Sequence, residues 1–302
     1  MSIAEAEARE IQFDAPSGLW RDAWSRFRRN PAAMLGVGLV SFFIFIAVFA
    51  PLIAPYDPLE QDLAALGGSC CPGPSADHWF GLDQLGRDEF SRIVYGARYS
   101  LLIGVVSVTV GLSVGLLLGA IAGYAGGIVD GVIMRLMDIM LSIPGLLLAI
   151  GIVAVLGPGI TQIMVAVGVT QIPIFARLLR GSILAQKEND FVLAARAVGV
   201  PSRTILASHI LPNAISPVIV QATLALATAI IDVAGLGFLG LGPQDPSTPE
   251  WGTMLTDTTR FLQTAPYLAL IPGAAIVVSV LGFNLIGDGL REALDPKLRG
   301  RF

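Results

Sequence analysis

Reactive side chains are scarce in this chain of 302 residues, and their spacing excludes most chemistry. The only histidines are His78 and His209, and the only lysines are Lys187 and Lys297. A Ser–His–Asp arrangement or a multi-histidine metal site needs imidazoles that meet its other members, and such a site is not expected here. Neither lysine lies in Gly-x-x-x-x-Gly-Lys-Ser/Thr, so the chain has no phosphate-cradling loop of its own. Residues 111–115 spell Gly-Leu-Ser-Val-Gly, which matches the Gly-x-Ser-x-Gly elbow of serine hydrolases. That elbow requires a strand–turn–helix and a histidine partner, and the surrounding residues offer neither. Cys70 and Cys71 are adjacent, so they are free thiols or a labile vicinal bridge rather than a routine structural disulfide. No catalytic or metal-binding residues are expected, and no cofactor bound by this chain.

The elements around these residues explain the scarcity. Only 14% of residues are charged and 54% are hydrophobic, against about a quarter charged in a soluble domain. Charge is absent in blocks: 30–56, 99–129, 139–176, 210–231 and 261–287. Each is long enough for the ~20 apolar residues that cross a bilayer. The block at 139–176 is too long for one span, and Gly157-Pro158-Gly159 reads as a turn within it. The expectation is an all-α polytopic membrane protein with about six spans, near 32–55, 100–124, 132–156, 160–183, 210–236 and 266–290. The first block follows a long polar stretch and is too long for a signal-peptide core.

Arginine and lysine set the orientation. With the N-terminus inside, Arg9, Arg21, Arg26, Arg28, Arg29, Arg135, Arg177, Arg180, Lys187, Arg196, Arg203, Arg291, Lys297, Arg299 and Arg301 fall on the cytoplasmic side. Only Arg87, Arg92, Arg98 and Arg260 remain outside. Both termini are therefore expected in the cytoplasm. The chain divides into a cytoplasmic tail (1–30), the first span with an external loop (31–99), a core of five spans (100–291) and a second cytoplasmic tail (292–302). In the first tail, Trp20, Trp24 and Phe27 share a helical face amid arginines. This suits an amphipathic helix on the inner leaflet, or a plain positive-inside flank for the first span.

Gly111, Gly115, Gly119, Gly123 and Gly127 recur at i, i+4, with Ser107 extending the row. Small residues at that interval let helix backbones approach closely in lipid, so Gly111, Gly115, Gly119 and Gly123 are expected to pack against another helix of this chain or of a second subunit. Ionisable residues near the bilayer midplane would mark an ion-coupled carrier. Asp232 and Asp288 lie toward span ends, and Arg135 and Asp138 are expected to pair at an interface. Gln171, Gln221, Asp232 and Asn284 either line a pore or bond helix to helix. The external run Asp83, Arg87, Asp88, Arg92, Arg98 reads as a solvated face or as a protein contact surface, and the loop around Trp251 is a second candidate for such a contact.

The polar segment VLAARAVGVPSRTILASHILPN, residues 192–213, separates two apolar blocks. A short helix is expected near 189–198, with Ala194, Ala195 and Ala197 on a small-residue face. Gly199 supplies a left-handed stop, Pro201 suits the start of a second helix, and Pro212 marks the start or a kink of the next span. From these features alone the segment is a docking element or a structured loop.

AARAVG followed by HILPN resembles the cytoplasmic loop signature of permease subunits of ABC importers, of the form Glu-Ala-Ala, Gly, then Leu-Pro. Ala194, Ala195 and Gly199 match it, and Leu193 stands where the family commonly has Glu. HWFGLDQLGRDEFSRIVYGARYSL, AGYAGGIVDGVIMRLMDIMLSIP, LGFLGLG, PEWGTML and FNLIGDGLREALDPKLR are similar to the second, or C, permease subunit of dipeptide and oligopeptide importers, from about residue 20 to the C-terminus. That branch also includes permeases for nickel and other small solutes. The resemblance implies a type I ABC importer permease fold in the cytoplasmic (inner) membrane, and a pore shared with a second, homologous permease subunit. It implies two separate ATPase subunits carrying ATP and magnesium, an external solute-binding protein, and no nucleic acid partner. It makes the 189–200 region a coupling helix, with Asp190, Phe191, Ala194, Ala195, Arg196 and Gly199 as the ATPase contact. The rival readings are an ion-coupled secondary carrier and a membrane scaffold that uses the loop only for docking.

Overall fold

A computed structural model describes residues 19–67, 70–245 and 247–294. The expectations for the tails at 1–18 and 295–302 lie outside these residues, as does the side chain of Trp20. The described chain is all-α. Five helices are long and apolar enough to cross a membrane: α2 (Pro31–Val48), α3 (Glu89–Ala125), α6 (Ile160–Lys187), α8 (Ser216–Leu236, whose span continues to Leu241) and α10 (Tyr267–Leu294). Two further apolar pieces, α4 (Gly127–Leu141) and α5 (Gly145–Leu156), are bent by 91° at a short break and form a broken span or a re-entrant loop. Shorter helices are α1 (Leu19–Arg29), α7 (Asp190–Ala197) and α9 (Trp251–Thr258).

The bend corrects the straight span expected at 132–156. Pro144 has no N–H for the helical ladder, and its ring drives the preceding residue out of the helical region. The break at 142–144 follows, and α5 restarts with the Leu148 N–H donating to the Pro144 carbonyl at 3.0 Å. The expected turn between α5 and α6 is present, with Gly157 at φ +88° and Gly159 at φ +152°.

The second span is longer than its apolar block. At 37 residues and ~1.5 Å per residue, α3 is about 55 Å long, well beyond a hydrocarbon core of about 30 Å. Its first turns are enclosed by residues 49–67 and 70–88, which form a cap over one side of the bundle. Asp88 starts the helix, its carboxylate accepting from the Ser91 N–H at 2.7 Å. Asn30 does the same for α2, accepting from the Ala33 N–H at 3.0 Å.

The glycine row of α3 faces α6. A Cβ on Gly111 would come within 2.6 Å of the Gln171 Cβ and the Gly168 carbonyl, and one on Gly115 within 2.7 Å of the Phe175 Cβ. At Gly119 the obstruction is the backbone of Ala176, and at Gly123 it is Ile183 and Arg180. Gly168 returns the fit from α6, against the Ser107 carbonyl and Val110. The row ends there: Gly127 has open space around it and lies at φ +56° where α4 begins. The seam holds the main buried cluster, with Phe175, Leu179 and Ile183 of α6 packed beside Ala225, Ala229 and Val233 of α8.

A second cluster joins α2, α3, α8, α9 and α10 around Trp251, which is fully buried and meets Phe43 edge-on at 5.5 Å. On the opposite side from the cap, α1 lays Ala23 and Phe27 against Ala33 and Ala293 and leaves Trp24 59% exposed.

Candidate coupling site

The segment after α6 is built as a short, locked helix. Asn189 precedes α7 in an extended conformation, and Asp190 occupies its first turn. The acidic start and Arg196 in the last turn both match the helix dipole. At the other end Gly199 adopts φ +79°. The Gly199 N–H donates to the Arg196 carbonyl at 3.0 Å and the Val200 N–H to the Ala195 carbonyl at 3.1 Å. This paired closure is a Schellman motif, and only glycine holds its left-handed position without strain.

Val192 and Ala195 face inward, in one buried cluster with Ile183, Ile205 and Ile210. Asp190, Phe191, Leu193, Ala194, Arg196 and Gly199 are exposed, as is Val198. The predicted contact residues thus lie on one accessible surface except Ala195, which packs against the chain's own core. Apolar Phe191 and Leu193 are 40% and 50% exposed and, two positions apart on a helix, flank the exposed arc on either side. From Pro201 the chain passes through Ser202–Thr204, a π-helical stretch Ile205–Ile210 and a turn Leu211–Ala214, and enters α8 at Ser216. Pro201 precedes the second helix instead of opening it.

Polar bonds brace this side of the molecule. Arg180 of α6 grips Asp130 of α4 with two bonds, Nε to Oδ1 at 2.7 Å and Nη2 to Oδ2 at 2.6 Å. Lys187 Nζ donates to the carbonyls of Gly123 and Tyr124 at 2.7 and 2.8 Å. Those are orphan carbonyls at the end of α3, so the lysine closes one helix from the end of another. Asp138 pairs with Arg177, not with Arg135 as expected from their spacing in α4. Sequence reasoning missed these braces. Their signal was present: cations toward the end of α6, and acids in α4 that could pair with them.

The charged run near the cap is neither a solvated face nor a contact surface. Asp83, Arg87, Asp88 and Arg92 are 7% exposed or less. Arg87 Nε donates to Asp83 Oδ2 at 2.6 Å, and Arg92 Nε stands 3.5 Å from the same oxygen. His78 Nδ1 lies 3.0 Å from Asp88 Oδ1, and its Nε2 lies 3.6 Å from Asp62. A bond from the Ala65 N–H holds the Asp62 carboxyl below the usual carboxylate range. Arg98 alone of the run is exposed. Cys70 and Cys71 are bonded to each other, and the Tyr267 hydroxyl lies 2.8 Å from the Pro72 carbonyl, tying the cap to α10.

The loop around Trp251 is interior too. Glu250 is 1% exposed, and its carboxylate accepts from the Gly252 and Thr253 N–H groups at 2.9 and 2.8 Å and from Ser100 Oγ at 3.2 Å. Burial nevertheless pushes its carboxyl above the ordinary range, because desolvation outweighs those bonds. The Trp251 indole donates to the Ile93 carbonyl at 3.1 Å and covers Gly96. Gln171 is buried in the seam between α3 and α6, while Gln221, Asp232 and Asn284 are half-buried. Among the described residues no group of three or more His, Cys, Asp or Glu could hold a metal.

Comparison with known proteins agrees with this architecture. Residues 115–300 match the family of binding-protein-dependent transport system inner membrane components. Residues 18–67 match the N-terminal transmembrane domain of oligopeptide transport permease C. The chain is 49% identical over 290 residues to the dipeptide transport system permease protein DppC of Alkalihalophilus pseudofirmus, covering 96% of this chain and 93% of that one. It is 51% identical over 282 residues to the glutathione transport system permease protein GsiD of Salmonella paratyphi A, covering 93% and 91%. Among solved structures, the inward-facing MetNI methionine ABC transporter shares the fold over 68% of this chain and 96% of the matched chain. The TM-score there is 0.56 at 22% identity. With the polytopic bundle and its exposed, locked helix α7, these matches establish that the chain belongs to the inner membrane components of binding-protein-dependent transport systems and is a multi-pass permease subunit of an ABC importer.

Proposed function

We propose that this chain is one half of a heterodimeric pore that moves dipeptides or short oligopeptides into the cell, driven by ATP hydrolysed on two separate subunits. The second half is a homologous permease subunit, and an external solute-binding protein delivers the substrate. ATP and magnesium stay on the ATPases, and this chain carries no cofactor and no catalytic residue. The peptide substrate is supported by the names of relatives that are about half identical over nearly the whole chain. Both termini and α7 lie in the cytoplasm of this reading, which the arginine and lysine distribution supports.

The observation that carries the proposal is α7 itself. Its start is fixed to α6 and its end is closed by the Gly199 motif, so a force on its exposed surface moves the helix as a unit. Asp190, Phe191, Ala194, Arg196 and Gly199 supply the ATPase contact, while Val192 and Ala195 transmit the motion to the core. The absence of a motif glutamate at Leu193 replaces a charged contact with an apolar one. From α7 the chain continues into α8, so closure of the ATPases on ATP would tilt a pore helix directly.

The test is Gly199→Val in the assembled transporter. A β-branched residue in the left-handed region costs roughly 1–2 kcal/mol, which loosens the end of α7 without touching the spans. The variant should insert and assemble normally, and ATP hydrolysis should continue while uptake per ATP falls. Unchanged coupling would overturn the lever.

A further inference from the structure

Asp232 stands in α8 without a partner. The acids of α4 are paired, Asp130 with Arg180 and Asp138 with Arg177. Asp232 makes no hydrogen bond or ion pair among the described residues and is half-buried. It lies 16 residues beyond Ser216, about 24 Å along the helix axis at ~1.5 Å per residue. That depth is inside a hydrocarbon layer of about 30 Å. An aspartate facing hydrocarbon costs up to about 3 kcal/mol at the centre of a span and less toward the span end where Asp232 stands, so the carboxylate favours a polar neighbour over lipid.

Asp232 stands at the margin of the side of α8 that is left open. The helix packs chiefly on α3, α6 and α10 and also on α9 and α5. Ala225, Ala229 and Val233 are buried, with Ala225 only about 20° from Asp232 around the axis. Pro217, Thr228 and Ile231 remain exposed. Gln221, Thr228 and Asp232 fall within about 40° of one another at 3.6 residues per turn, so they form one polar line along the edge of that open side. Thr228 and Asp232 are one turn apart. The Thr228 hydroxyl spends its proton on the Ala225 carbonyl at 3.0 Å, which leaves its lone pairs for a donor. A carboxylate beside a hydroxyl acceptor suits a group that has only donors and a positive charge, and an ammonium has three donors.

We propose that Asp232, with Thr228 beside it, binds the ammonium group of the peptide in transit, and that Gln221 continues the polar route two to three turns further toward α7. This rests on the peptide reading above and names the group recognised. The site lies on the helix that follows the coupling segment, so movement of α7 shifts the carboxylate and can weaken its hold on the ammonium as the substrate passes.

The test uses the complete transporter in proteoliposomes, with its receptor and ATPases, and dialanine as the probe. Asp232→Asn should lower dialanine uptake about tenfold or more, a loss of about 1.4 kcal/mol, while receptor-stimulated ATP hydrolysis and complex yield stay unchanged. Asp232→Glu should recover much of the uptake, because it restores the charge. Full uptake by Asp232→Asn would overturn the proposal. So would a complex that no longer assembles, since the carboxylate would then be an ion-pair partner of the second permease subunit. If the unsubstituted transporter moves no dialanine, the peptide reading itself fails, a result distinct from a normal Asp232→Asn.

Discussion

Gly119 of α3 stacks on Ala176 of α6 so closely that a Cβ on the glycine would lie 3.0 Å from the Ala176 Cα. The obstruction is backbone, which cannot swing aside as a side-chain tip can. Gly119→Leu should therefore force the seam apart at a cost of about 1–3 kcal/mol or more, read as a lower melting temperature of the purified protein in detergent. Gly131 of α4 is the control, since no atom stands within 4 Å of its position. Gly131→Ala should be neutral or stabilising by up to about 1 kcal/mol through helix propensity. Equal effects at the two sites would contradict close packing along α3 and α6.

Lys187 closes the end of α3 through two bonds to carbonyl oxygens. Lys187→Met keeps the aliphatic length and removes the donors, and it should cost roughly 1.5–3 kcal/mol, as hydrogen bonds to charged groups do. Hydrogen exchange should rise at the last turn of α3 and the start of α4. Unaltered exchange there would mean that the carbonyls are satisfied without the lysine.

Glu250 gives the fold a pH dependence. Burial raises its carboxyl above the ordinary range, so the folded protein holds this proton more tightly than the unfolded chain. The stability it contributes is full below the unfolded value of about 4.3 and is lost as pH rises through the raised native value. Glu250→Gln should flatten that part of the melting-temperature profile and match the parent most closely at the acid end. A profile that keeps the parent's slope would assign the dependence to other groups.

Gly199→Val separates hydrolysis from uptake if α7 is a lever. Gly126 provides the comparison, because it too has positive φ, at +66°, with open space around it. Valine there strains the backbone at least as much, because ψ −165° puts Gly126 in a region essentially confined to glycine, and it does so at the junction of α3 and α4 outside α7 itself. Ratios of uptake to ATP hydrolysis should fall for Gly199→Val and stay near the parent value for Gly126→Val. A similar fall in both would point to general damage.

The spans were legible because charge is expensive in lipid, so its absence in blocks marks them directly. The bend at Pro144 had a signal, since Pro144-Gly145 is a chain-breaking dipeptide, but it lies in a block whose length and lack of charge alone suggested one straight span. The glycine row announced a close approach, but spacing along one helix cannot say which helix comes near, and Gly127 continued the interval after α3 had ended. The run from Asp83 to Arg92 misled for a different reason. Alternating charges look solvated along a sequence, and only the return of His78 and the cap over the first turns of α3 encloses them. Trp251 looked like a loop aromatic free to meet a partner, yet it is the center of a buried cluster that draws residues from α2 and α10. At α7 the pattern carried most of the site, since the stop at Gly199 depends on local backbone chemistry. The inward turn of Ala195 depends on which face meets Ile205 and Ile210, and that is a tertiary fact.

The central claim is that this chain is moved by an engine it does not contain. Reconstitution tests it most directly, by following dialanine into proteoliposomes that hold this chain alone, then with the second permease, then with the ATPases, receptor and internal ATP with magnesium. Uptake should be seen only with the complete set and should stop when ATP is replaced by a non-hydrolysable analogue. Accumulation by this chain alone, or accumulation driven by a proton gradient without ATP, would contradict the account.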